Sequence, residues 1–203
     1  MDPYQGLADA LRSLIEAVQL ADIRPDTADE LAGRIAQIAD ELPVDGRTSW
    51  HAPGTVADEE FVPDQNVSSL NDLRDPVVGT YNPVAPPLVI EVVETDAGVR
   101  LRGEVTLSAA YEGAARTVHG GIVCAVMDEM LGMAQRVLPV AGYTGTLTIR
   151  FRAPTPTYMP LVAEAWMDRT EGRKIFMAGT LHAGEQLCAE AEGIFISPRK
   201  DGV

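Results

Sequence analysis

The sequence predicts an α+β domain in which an antiparallel sheet wraps around one central helix, and three observations carry that expectation. Two short β-branched runs, residues 88–94 and 99–108, flank a Thr95-Asp96-Ala97-Gly98 turn signal. A nearly unbroken apolar helical stretch follows from residue 122 to 138. Four more strand-like runs then occupy residues 144–152, 161–169, 174–182 and 187–196, with Glu171-Gly172 and Ala183-Gly184-Glu185 at the turns between the later ones. Short turns favour antiparallel neighbours, so these strands are expected to curl around the helix that most needs burial. That arrangement is the hot-dog architecture.

Ahead of it, Asp2-Pro3 reads as an N-cap with proline at the first helical position, and Leu7, Leu11, Leu14, Ile15 and Val18 recur at helical spacing. Thr27-Ala28-Asp29-Glu30 has the capping-box pattern, followed by a second stripe of Leu31, Ile35, Ile38 and Leu42 that Pro43 ends. Residues 1–43 are therefore expected to form an N-terminal helical hairpin extension, too small to fold alone. Residues 44–76, rich in Pro, Gly, Asp and Ser, read as a linker or an ordered loop with Trp50-His51 and Phe61 as anchors. The main domain is assigned to residues 77–203.

The chain of 203 residues suits one domain of typical size with extra structure. Its 30 acidic against 16 basic residues give a net charge of −14, which disfavours nucleic acid or an anionic membrane as partner. No run of 18 apolar residues occurs and Met1-Asp2-Pro3-Tyr4 lacks the features of a signal peptide, so a soluble cytoplasmic protein is expected. Cys124 in the apolar helix and Cys188 in an apolar strand read as small buried hydrophobes. Three scattered histidines, His51, His119 and His182, offer no metal-binding spacing, and no cofactor is expected.

The chemistry concentrates at Val118-His119-Gly120-Gly121 and the helix behind it. The glycines let a ligand approach the backbone, and the free N–H groups at a helix start favour a developing negative charge. The first turns of this helix are apolar all round, a composition that calls for burial, yet Asp128 and Glu129 sit in its middle. One reading makes them solvated acids at a locally exposed face; the other has one of them acting on a ligand at the glycines. Since they point about 100° apart around the helix, only one can easily face a given ligand.

Strand order and motif together resemble the hot-dog acyl-CoA thioesterases of the phenylacetate-degradation and mitochondrial types, from Val78-Gly79-Thr80-Tyr81-Asn82-Pro83 to Ile196. The resemblance is carried by His119-Gly120-Gly121 with Asp128 nine residues after the histidine, by Gly113 ahead of the motif, and by the run Thr144 to Phe151 leading into Pro154-Thr155-Pro156. It implies hydrolysis of acyl-CoA with Asp128 as the acid, Gly120 at the oxyanion, Gly121 beside the substrate, and Thr144 at the position of an active-site threonine. Many relatives carry a water-holding asparagine where this chain has Gly113.

Thioester hydrolysis needs a polarised carbonyl, a stabilised oxyanion and an activated water or nucleophilic carboxylate. Gly120 supplies the N–H. Asp128, flanked by Val126, Met127, Met130 and Leu131, is expected to be partly desolvated, which raises basicity. Whether it acts as general base or attacks directly stays open. His119 either orients the thioester carbonyl or only caps the backbone, and Glu129 is the structural or solvated acid. Regular strand alternation puts Thr144 on an outer polar face with Thr146, Thr148 and Arg150, whereas a twist at Gly145 turns it inward. Arg150, Arg152, Arg173 and Lys174 are candidates for gripping coenzyme A phosphates.

Gly120 and Asp128 lie about 12 Å apart along the helix axis, so one carbonyl cannot touch both. A homodimer, or a dimer of dimers, with composite sites follows. A hydratase on the same scaffold is disfavoured by the close spacing of His119 and the helix. The alternative from another class is a non-catalytic acyl-CoA sensor or scaffold, with the N-terminal hairpin binding a partner. The acyl group itself is not legible.

Overall fold

The computed structural model describes residues 2–42, 73–86, 88–138, 140 and 142–197. Its centre is an antiparallel sheet laid around one helix, as the pattern of runs predicts. The strands are β1 (Val89–Thr95), β2 (Gly98–Thr106), β3 (Glu112–Ala114), β4 (Thr117–Val118), β5 (Tyr143–Phe151), β6 (Pro160–Glu171), β7 (Lys174–Ala183) and β8 (Gln186–Ile196). The helices are α1 (Pro3–Leu20), α2 (Pro25–Asp40) and α3 (Gly120–Arg136). Six strands form the main sheet in the order β1-β2-β6-β7-β8-β5, and β3 with β4 makes a separate small ladder that the sequence did not signal.

The core lies between α3 and the concave face of this sheet. Val123, Val126, Met127, Met130, Leu131 and Ala134 are buried, at the spacing of one broad helix face. Full burial of such a side chain contributes roughly 1.5–3 kcal/mol. Strand glycines bring helix and sheet close: a Cβ on Gly103 would meet Met130 Sδ at 2.8 Å, and one on Gly179 would meet Met127 Cε at 2.9 Å. The expectation of burial all round is corrected on the outer side, where Cys124, Ala125, Asp128, Glu129 and Gly132 are only half-buried. The sheet covers one side of α3, and small residues rather than bulky ones occupy the other.

The segment before β1 belongs to this body. Asp75 is buried and its Oδ1 accepts from the N–H groups of Val77 and Val78, while Val78, Ala85 and Leu88 join the core. Trp50, His51 and Phe61 fall outside the described residues.

Both N-terminal helices form, with one difference from the sequence reading. Asp2 caps α1 as expected, but α2 starts at Pro25 after Arg24, so Thr27 lies within its first turn rather than capping it. Proline at the first helical position is pre-set for the helix and moves the start forward. Helix α1 docks through polar residues. Arg12 donates to the carbonyls of Gly79, Thr80, Asn82 and Ala85, at 3.0 to 3.3 Å, and Ala8 is the buried residue of the helix. Leu7, Leu14, Ile15 and Val18 remain exposed, as do Leu31, Ile35, Ile38 and Leu42, and no residue of α2 is buried. Four loop carbonyls that converge on Arg12, rather than the apolar stripe, orient α1.

Candidate active site

The site is built at the two ends of one strand. At the start of α3, His119 is the N-cap: its Nδ1 accepts from the Gly121 N–H at 3.0 Å. A neutral imidazole that accepts at Nδ1 carries its proton on Nε2, so this exposed ring presents an N–H outward. The Gly120 N–H has no acceptor among the described residues, and it sits at the positive end of the helix. Phe151, at the far end of β5, flanks it: a Cβ on Gly120 would lie 3.3 Å from the Phe151 ring.

Asp128 lies two turns along α3, half-buried beside the beginning of β5. Its Oδ1 accepts from Thr144 Oγ1 at 3.1 Å. Simple alternation would have pointed Thr144 away from the helix. A bulge between Thr144 and Thr146 changes the parity, so Thr144 pairs with the buried Phe195 while Leu147 and Ile149 keep facing inward. Gly145 is the residue where the register slips. Glu129, a further 100° around α3, is half-buried on another sector of the helix.

The backbone around His119 is held from two sides. Its own N–H donates to Tyr111 O at 2.8 Å, and the neighbouring Val118 N–H donates to Thr155 O at 2.8 Å. Gly113 packs directly against it: a Cβ there would come within 2.8 Å of His119 Cα and 3.1 Å of Cδ2. In this chain the position ahead of the motif has room for a glycine and for no side chain. Tyr111 escaped the sequence reading, and Phe151 and Thr155 entered it only as part of the threonine-strand resemblance, because nothing in their local pattern reveals that they meet the motif.

The basic residues do not gather. Arg150 is bidentate to Glu192, at 2.6 and 3.4 Å, and Arg152 pairs with Glu190. The Arg150 guanidinium holds the Glu192 carboxyl below its ordinary range. Lys174 begins β7 opposite Ile196, at the other end of the sheet from Arg150, and Arg173 Nε donates to Ser197 O. Among the described residues no cluster of three or more His, Cys, Asp or Glu has metal-binding geometry, and no helix is long and apolar enough to cross a membrane. Cys124 and Cys188 are both free thiols.

The Thioesterase superfamily profile matches residues 115–190, a span that includes the histidine motif, α3 and most of the following strands. A crystal structure titled protein RHA08564, thioesterase superfamily protein, is 32% identical, covers 97% of this chain and 91% of its own, and superposes with a TM-score of 0.78. This chain belongs to the thioesterase superfamily. Among curated relatives, the acyl-coenzyme A thioesterase THEM4 of Bos taurus is 31% identical over 87 residues, which make up 42% of this chain and 35% of THEM4. THEM5 of Homo sapiens is 29% identical over the same share of both chains. The match thus spans about a third of the length of these curated relatives. Within the superfamily fold, the hot-dog expectation holds in strand order, in the central helix and in the placement of the histidine motif at its start.

A change at Gly113 tests the cage around His119. Gly113→Val is expected to push the imidazole off the Gly121 N–H and to shift the His119 ring signals in NMR. Loss of that cap should lower stability by about 0.5–2 kcal/mol. Unmoved ring signals in the folded variant would contradict the close packing.

Proposed function

We propose that this protein hydrolyses acyl-CoA thioesters to the free acid and coenzyme A, at composite sites shared by two copies of the chain. The Thr144–Asp128 hydrogen bond carries the reading. A carboxylate aimed along the inner flank of β5 and held by a hydroxyl is oriented either to take a proton from water or to attack a thioester carbon. The acid selected by the resemblance is also the acid held by the threonine that the resemblance selects.

In each site the Gly120 N–H stabilises the oxyanion, while His119 Nε2–H steers the thioester carbonyl. Asp128 and Thr144 of the second copy supply the base or nucleophile and hold the water. Support for the shared arrangement comes from β5. It ends the sheet, so its outer row of N–H and C=O groups has no strand beside it among the described residues. The opposite edge, β1, is guarded by Glu91 and Glu94. Pairing β5 with its antiparallel copy about Thr148, with Gly145 as the extra residue of the bulge, would set Thr144, and with it Asp128, opposite the partner's Phe151 and therefore near its Gly120 end. A carbonyl between them can then meet both groups.

Release of free CoA thiol from a panel of short, long and aromatic acyl-CoAs, alongside direct binding of the same compounds, tests this reading. Turnover with at least one class is expected. Binding without turnover across the panel would favour the sensor reading instead.

A further inference from the structure

The geometry points to Tyr158 and Glu16 as positioning residues for His119, so that helix α1 serves the active site rather than decorating the domain. The inference rests on the assignment of His119 and Gly120 to the reacting carbonyl.

His119 is suspended between two segments, and Tyr158 is the residue that joins them. One is the turn at Ala109–Tyr111, whose Tyr111 O accepts the His119 N–H. The other is the stretch just before Tyr158, where Thr155 O accepts the Val118 N–H, Thr157 N–H donates to Arg116 O, and Pro156 bridges to Thr117. Tyr158 links them twice. Its backbone N–H donates to Leu107 O at 2.8 Å, and its hydroxyl accepts the Ala109 N–H at 3.1 Å. The same hydroxyl donates to Glu16 Oε1 of α1 at 2.7 Å, a bond that holds the Tyr158 hydroxyl above its ordinary pKa.

The backbone of Tyr158 is in the left-handed region, at a φ of 58°, and so is that of Arg116 at 56°. A bulky side chain accepts that conformation only where its surroundings over-determine it. Here the two unusual residues sit on the facing segments that brace the motif. Glu16 is held in place in turn. One helical turn before it, Arg12 locks α1 onto the carbonyls of Gly79, Thr80, Asn82 and Ala85, and Val84 of that loop accepts the Tyr111 hydroxyl. An unbroken set of hydrogen bonds therefore runs from α1 to both supports of His119. It explains why α1 presents charged and polar residues to the body and leaves its apolar stripe outside.

Positioning of this kind should appear in kcat rather than KM, because a displaced imidazole still lets substrate bind but aligns the carbonyl poorly. Tyr158→Phe and Glu16→Ala are each expected to lower kcat about three- to tenfold, the range of one lost hydrogen bond. KM should be nearly unchanged. Glu16→Gln keeps an oxygen acceptor and should turn over like the parent. The double variant Tyr158→Phe/Glu16→Ala should be no slower than the worse single variant, since both break one path. The His119 ring signals in NMR, read without substrate, should move in Tyr158→Phe and Glu16→Ala and stay in Glu16→Gln. Unmoved ring signals in both displaced variants, or kcat losses that multiply in the double variant, would overturn the inference. If Tyr158→Phe does not fold, Glu16→Ala against Glu16→Gln decides alone. Because ring signals need no turnover, a parent protein that hydrolyses no acyl-CoA would refute the proposed function while leaving the link from α1 to His119 separately measured.

Discussion

Asp128→Asn is expected to lower acyl-CoA turnover by roughly 10²–10⁴-fold, the scale of losing a general base or nucleophile, with melting temperature and secondary structure preserved. The amide is nearly isosteric with the carboxylate and still accepts from Thr144 Oγ1, so the geometry survives while basicity and nucleophilicity are lost. The comparison is with Glu129→Gln, whose side chain leaves α3 in another direction and which should keep most of the activity. Near-normal turnover in folded Asp128→Asn would remove that residue from the chemistry. Inactivity of Glu129→Gln alone would mean the wrong acid had been chosen.

Gly120→Pro should be as damaging, and Gly120→Ala, which sets the same Cβ against Phe151 but keeps the N–H, is its control. Proline is well tolerated at the first position of a helix, and His119, at φ −58° and ψ 133°, already has the extended backbone that a residue before proline requires. The substitution thus deletes the N–H at the oxyanion position while leaving α3 able to form, and a loss of about 10²–10³-fold is expected. The pair of variants also tests the shared site. Mixing inactive Asp128→Asn and Gly120→Pro chains with random exchange makes half the dimers mixed, each with one intact composite site, so about a quarter of parent activity should return. Verified mixed dimers with no recovered activity, or full activity in a proven monomer, would rule out sharing.

By itself the sequence determined the elements and the chemistry that depends on near neighbours. Period-two runs and turn residues foretold the six strands of the main sheet, because alternation and turn conformation are local properties. His119 and the two glycines announced the helix start for the same reason, since capping is decided within a few residues. The choice of Asp128 over Glu129 came from spacing and resemblance, and their different directions came from helix geometry alone.

Tertiary structure decided what local pattern leaves ambiguous. Alternation counted from Leu147 sends Thr144 outward; the bulge that turns it to Asp128 is set by pairing with β8, a partner roughly fifty residues away. The candidate phosphate-gripping arginines are equally polar on paper, yet Arg150 and Arg152 are answered by Glu192 and Glu190 across the same strand pair. The face by which α1 docks was likewise not decided by its apolar stripe. Hydrophobic periodicity records which residues avoid water in a completed assembly, whereas the four loop carbonyls that meet Arg12 converge only after distant segments have folded together.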